Sequence, residues 1–180
     1  MQAFVAVGGN VGEPAEIATR FRSAAAAIGK LDYVIFVNRS RTYRSKPVGP
    51  VGDQPTYINA VLEVELRDTV TASSFLEDLQ AVEAAHGRDR DREIPFGPRT
   101  LDLDLLLFGD LELHEQSPLA LTVPHPRLHQ RAFVLQPLAE LAGAELIVPG
   151  LGASLRECLD TPAVRAQLLH LELFAADESA

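Results

Sequence analysis

The stretch "TLDLDLLLF" at residues 100–108 limits the fold more than any other part of the chain. Its leucines demand burial, and its length suits one strand. Residues two apart in a strand point to the same face. Leu101, Leu103 and Leu105 therefore share one apolar face. Asp102 and Asp104 share the other, with Cβ atoms about 6.5–7 Å apart. Leu106 and Phe108 are expected to continue the Asp face, which is then acidic at one end and apolar at the other. Two ionised carboxylates side by side repel and resist burial. A divalent cation between them offsets both costs. Mg²⁺ is suited, because it takes one or two carboxylates plus substrate phosphates. A pair of Mg²⁺ ions clamped by both carboxylates is equally open. A D-x-D pair by itself is more often an exposed polar patch, so its surroundings must decide.

The periodicity elsewhere places that strand in a sheet. "AFVAV" (3–7) reads as a buried strand ended by Gly8 and Gly9. Residues 13–30 carry Ile17, Phe21, Ala24, Ala25 and Ile28 at helical spacing, between Pro14 and Gly29. Residues 33–45 and 56–66 alternate and read as strands. Residues 71–87 carry Phe75, Leu76, Leu79, Val82 and Ala85 at helical spacing. "KPVGPVGDQP" (46–55) and "RDRDREIPFGP" (88–98) are loops. Residues 121–142 begin extended and end as a helix, and the tail from about 152 holds one or two small helices. The order β-α-β-β-α-β predicts an α+β protein: a ferredoxin-like split βαβ sandwich, with an antiparallel sheet, both helices on one face, and a helical C-terminal part. One domain over 1–180 is expected.

Bulk properties exclude several classes. The net charge is −9, which disfavours general binding to nucleic acid or anionic membranes. An RNA-binding module on this fold is disfavoured for the same reason. No apolar run reaches the ~20 residues of a membrane helix. "MQAFVAVGGN" has no basic leader pattern. With Cys158 as the only cysteine, a reducing cytoplasmic compartment is expected. The chain lacks a P-loop, a G-x-G-x-x-G and a G-x-S-x-G. A polyanion such as ATP would therefore need clustered arginines or a metal ion.

Arginines do cluster. Arg88, Arg90, Arg92 and Arg99 lie within twelve residues. Arg90 and Arg92 taken singly are ordinary members of a charge-balanced loop. The functional reading is a lid whose guanidinium groups bind phosphates bidentately, with Gly87 and Gly97 as hinges. Arg99 is the strongest candidate, because it adjoins the strand bearing the acid pair. "VPHPRLHQRAF" (123–133) adds His125, held between two prolines, and Arg131. His86, His114, His129 and His170 read as surface residues.

"FGPRTLDLDLLLFGD" followed by "LTVPHPRLHQRAFVLQPL" resembles the signature of the 6-hydroxymethyl-7,8-dihydropterin pyrophosphokinase family. "VGGN", "SRTYRSKPVGP", "DQPTYINAV" and "LQAVEAAHGR" extend the resemblance in order from about residue 3 to about 150. It implies transfer of pyrophosphate from ATP to the hydroxymethyl oxygen of the pterin, giving AMP, in folate biosynthesis. It implies Asp102 and Asp104 as Mg²⁺ ligands, for one or two ions. It implies catalytic roles for Arg88 and Arg99, and ATP contacts from His125, Arg131, Gln80 and Glu83. Leu105, Leu121 and Thr122 would lie near the adenine. Tyr57 and Phe133 would sandwich the pterin, and Asn59 would bond its polar edge. Ser45 and Val48 would offer main-chain groups to the pterin, and Phe96, also at the pterin, stands where the family often has Trp. Gly9 replaces a usual Ser. The expected partners are these small molecules alone, bound to a monofunctional, monomeric chain. A catalytically silent nucleotide- and pterin-binding module on the same fold is the alternative.

Overall fold

The structure is a computed structural model that describes residues 1–47, 54–90, 94–95, 97–116 and 120–174. Val48, Phe96, Arg92 and the centres of both long loops lie outside the described residues. Strands β1 (Gln2–Gly9), β2 (Val34–Arg39), β3 (Tyr43–Ser45), β4 (Tyr57–Leu66) and β5 (Asp102–Phe108) build the sheet. Helices α1 (Pro14–Ile28) and α2 (Ala72–Ala85) separate them. A small hairpin of β6 (Leu113–Glu115) and β7 (Leu121–Val123) follows. Then come α3 (Ala132–Ala142), α4 (Leu155–Leu159), α5 (Pro162–Leu168) and a short β8 (Glu172–Leu173). The main sheet runs β5-β1-β4-β3-β8, and β2 pairs with the far half of β4. Its β1, β2, β4 and β5 pairings are antiparallel, as the predicted fold requires.

Two cores sandwich the sheet. On one face Val5, Val7, Ile58, Leu62, Val64, Leu103 and Leu105 meet Ile17, Phe21, Phe75 and Leu79 of α1 and α2. On the other, Phe4, Val61, Leu106 and Leu107 meet Val134, Leu135 and Leu138 of α3, with Leu155 and Cys158 of α4. The C-terminal helices are therefore a third layer rather than an appendage. Each buried leucine contributes about 1.5–3 kcal/mol, so both faces matter to stability.

Two local expectations need correction. The single strand predicted over 33–45 is two strands. The chain leaves β4 at Ser40, whose N–H donates to the Val61 carbonyl and whose hydroxyl accepts from the Val61 N–H. Pairing resumes three residues later, with Tyr43 opposite Asn59. Phe108 also does not continue the Asp face. The β1–β5 register shifts between Phe4 and Val5. This bulge sends Leu106 and Leu107 both to the α3 core and turns Phe108 to the α1/α2 core. Strict alternation cannot reveal an extra residue.

Glu140 of α3 ties that layer to the β2–β3 connection. Its carboxylate accepts from the Arg41 N–H at 3.1 Å, from Arg41 Nη2 at 2.7 Å and from the Tyr43 hydroxyl. Tyr43 is buried, and burial first, then Glu140, pushes its hydroxyl up to about 12. Glu140→Ala strands that buried hydroxyl. The expected cost is about 2 kcal/mol, read in thermal unfolding as a loss of roughly 4–8 °C.

Candidate active site

The site is the part of the α3-facing sheet surface that α3 leaves open. Its floor follows from register. Gly8 of β1 lies between Asn59 of β4 and Asp102 of β5. Ala6 lies between Val61 and Asp104. On this stretch of the face the central strand thus offers only a glycine and an alanine, and a hollow opens above them. Asn59 and Asp102 stand two strand spacings apart, about 9.5 Å. A Cβ on Gly8 would come within 3.3 Å of Asn59 Oδ1. The hollow holds about 270 Å³. Ser45, Tyr57, Asn59 and Phe133 line one end, and Arg99, Asp102, Asp104 and Arg131 line the other.

At the first end, Asn59 Nδ2 donates to Ser45 Oγ at 3.0 Å. Tyr57 donates its hydroxyl to the Gly97 carbonyl at 3.0 Å. Phe133 has the Arg131 guanidinium 5.5 Å from its ring centre. This end offers two rings and an amide, which suits a flat heterocycle with a polar edge.

At the second end, the two carboxylates are held differently. Asp102 Oδ1 accepts from Arg88 Nη1 at 2.5 Å and Arg99 Nη1 at 2.7 Å. Burial raises its pKa, but Arg99 and Arg88 together outweigh burial and hold it below the usual carboxylate range. Among the described residues Asp104 has no cation closer than Arg131 at 3.8 Å, and His125 Nε2 lies 3.9 Å away. Burial first, then the charge on Asp102, pushes Asp104 up to about 6. One carboxylate is firmly ionised, and its neighbour lacks a close counter-charge. This pair of hard oxygen donors fits Mg²⁺, which needs few protein carboxylates when phosphates complete its shell.

A stability prediction follows. A folded-state pKa raised from 3.8 to about 6 means ionised Asp104 costs stability above pH 6 and nothing below pH 3.8. About a third of the side chain stays exposed, so screening reduces the cost to about 1 kcal/mol. Asp104→Asn is expected to raise the melting temperature by roughly 2–4 °C at pH 8. The gain should vanish by pH 4.

His125 sits beside this end. Its backbone N–H bonds the Leu106 carbonyl at 2.9 Å. Its Nδ1 accepts from the Arg127 N–H at 3.2 Å, which leaves the ring proton on Nε2, facing Asp104. Burial, then Arg131 and Arg127, lowers its pKa to about 4. At neutral pH it is an uncharged donor.

Arg88 and Glu83 lie behind the floor. Glu83 is fully buried. It accepts from Arg88, from Arg90 Nη2 at 2.5 Å and from the Leu103 N–H at 2.7 Å. Burial pushes its pKa up despite these bonds. The network runs Glu83, Arg88, Asp102, Arg99. Glu83 thus holds Arg88 against Asp102 rather than facing the hollow. Leu105 and Leu121 are buried in the α1/α2 core, since odd residues of β5 point there. Gln80 is half-buried on α2. Thr122 and His125 line a second cavity of about 440 Å³, with His114 and His129. His114 Nδ1 bonds Thr122 Oγ1 there at 2.7 Å.

Some residues of the site escape sequence reasoning. Lys46, Gln54 and Arg127 line the hollow. Arg127 lies within "VPHPRLHQRAF", yet only its position beside Arg131 distinguishes it from a surface arginine. Buried Asn10 braces both ends: its Oδ1 accepts from the Arg99 N–H at 2.8 Å, and its Nδ2 donates to the Pro55 carbonyl at 3.2 Å. Gly9 has a steric reason. A Cβ there would meet the Thr100 carbonyl at 2.8 Å, so a larger residue would push back the segment that presents Arg99.

Comparison with known proteins fits this geometry. The family model described as 7,8-dihydro-6-hydroxymethylpterin-pyrophosphokinase (HPPK) matches residues 4–143. The chain belongs to that family. The 2-amino-4-hydroxy-6-hydroxymethyldihydropteridine pyrophosphokinase of Haemophilus influenzae is 40% identical over 147 residues, covering 82% of this chain and 84% of that one. The enzyme of the same name from Pseudomonas aeruginosa is 41% identical over 141 residues, covering 78% and 80%. Among solved structures, a Plasmodium falciparum HPPK-DHPS mutant with pteroate aligns with a TM-score of 0.69 at 12% identity. That alignment covers 96% of this chain and 46% of the Plasmodium chain, so this HPPK-family chain spans about half the Plasmodium chain's length. It supports the fold. Among the described residues, no helix is long and apolar enough to cross a membrane.

Proposed function

We propose that the protein transfers the pyrophosphoryl group of ATP to the hydroxymethyl oxygen of 6-hydroxymethyl-7,8-dihydropterin. One observation carries the reading. A single hollow joins a ring-and-amide end (Tyr57, Asn59, Phe133) to a carboxylate-and-arginine end (Asp102, Asp104, Arg99, Arg131). The family membership supports it.

The pterin lies between Tyr57 and Phe133 with its polar edge at Asn59 and the backbone near Ser45. Its hydroxymethyl oxygen then points along Gly8 toward the carboxylates. The oxygen forms a bond to the β-phosphorus of ATP. The bond from that phosphorus to the bridging α,β oxygen breaks. AMP departs, and the hydroxymethyl proton passes to solvent or a carboxylate. Such transfer depends on position and charge neutralisation more than on covalent help. Asp102 and Asp104 would hold Mg²⁺, which supplies charge neutralisation on the phosphates. Arg99 and Arg131 bind phosphate oxygens from the open side, and neutral His125 donates a hydrogen bond through Nε2. Arg88 acts through Asp102, whose charge and direction it fixes. The family resemblance assigns the adenine to Gln80, Leu105, Leu121 and Thr122, which lie outside the hollow on the α2 and β7 sides of β5, so the hollow receives the phosphates and the adenine extends past the β5 edge.

Equilibrium titration with hydroxymethylpterin tests the ring end. Tyr57→Ala is expected to weaken binding about 10-fold or more, from the loss of a stacking face. Unchanged affinity would remove Tyr57 from the site. A silent binding module would bind both substrates and release no AMP.

A further inference from the structure

The chain beyond the family-matched residues 4–143 returns to the sheet. β8 pairs antiparallel with β3, setting Leu173 opposite Tyr43 and Glu172 opposite Arg44. The Phe174 N–H donates to the Thr42 carbonyl at 2.9 Å. The Phe174 ring packs against the α1/α2 core, and the Arg44 guanidinium lies 5.3 Å from its centre.

The strand it grips is a weak one. β3 has three residues, the short end of the usual range for strands, so each neighbour supplies a large share of its pairing. It also carries the pterin wall. Ser45 pairs with Tyr57 in register and accepts from Asn59. Lys46 and Pro47, the next two residues, line the hollow. β8 makes β3 an interior strand where it would otherwise be an edge.

We infer that the C-terminal strand β8, anchored by Phe174, is a positioning element for the pterin end of the site. The inference rests on the reading that Ser45, Tyr57 and Asn59 face the pterin. Displacement by an ångström at a binding wall is enough to cost substantial rate or affinity. The carboxylate end stands on β5, on the far side of the sheet, and does not depend on β3. The tail should therefore affect one substrate and not the other.

The test uses the full chain with Phe174→Ala, Phe174→Pro and Phe174→Tyr, and Asn59→Ala as a control. Phe174→Pro removes both the ring and the N–H that bonds Thr42. Phe174→Tyr keeps a ring for Arg44. KM is measured for the pterin and for ATP, beside kcat and the melting temperature. The Ala and Pro variants should raise the pterin KM about five- to tenfold with the ATP KM unchanged, and Tyr should restore it. A pterin KM that stays put, or rises together with the ATP KM, overturns the inference. Asn59→Ala separates the two failures. If it raises the pterin KM while the Phe174 variants do not, only the tail's role is lost. If it leaves the pterin KM unchanged, the placement of the pterin fails, and the inference fails with it.

Discussion

Replacing Asp102 and Asp104 together with Ala is expected to cut AMP formation about 10³-fold or more with the fold retained. Metal-assisted charge neutralisation is worth several kcal/mol in phosphoryl chemistry, and each 1.36 kcal/mol is tenfold in rate. The fold should survive for a local reason. Both side chains border the hollow rather than the core, and their removal ends a like-charge repulsion. Arg88 keeps its bond to Glu83. Turnover within tenfold of the unchanged protein would show that the pair does not organise the reaction. Loss of the folded circular-dichroism signal would show that the pair is structural.

The second large effect concerns stability. Glu83→Ala removes a fully buried carboxylate that satisfies Arg88, Arg90 and the Leu103 N–H. Arg88 is itself buried. Deleting Glu83 takes a carboxylate partner from buried Arg88, which keeps Asp102, and strands the buried Leu103 N–H; breaking a buried ion network in this way costs about 3–5 kcal/mol. For a chain of this size the melting temperature should fall by roughly 6–20 °C. Glu83→Gln should fall between, because its amide oxygen can still accept from Leu103. If Glu83 instead contacts nucleotide from the surface of α2, the Ala variant should melt within about 2 °C of the unchanged protein and show only a raised ATP KM.

Much of this architecture is legible from local pattern. The order of strands and helices follows from periods of 2 and 3.6. The pairing of Asp102 with Asp104 on one face, and of Tyr57 with Asn59 on another strand, follows from the same rule. What pattern misses is tertiary in origin. The break at Ser40 satisfies backbone groups of Val61, sixty-one being far from forty in sequence. The bulge that turns Phe108 away from the Asp face depends on β1, not on β5 alone. Glu83 and Gln80 look alike as a polar pair on a helix, and only the buried Arg88 separates them. Gly8 and Ala6 read as ordinary small strand residues until register places them between the two functional ends. β8 has two residues, too few for any period. The family resemblance supplies roles that pattern cannot, notably the pterin partners, but it stops before the segment that grips β3.

The central claim is that one hollow brings the pterin and the ATP phosphates together for pyrophosphoryl transfer. The most direct measurement follows AMP, ADP and pterin diphosphate together, with Mg²⁺ and ATP present, as hydroxymethyldihydropterin is added. The account predicts AMP and pterin diphosphate in equal amounts, no ADP, and no AMP without the pterin. ADP as the product, or AMP released at the same rate with and without pterin, would contradict it.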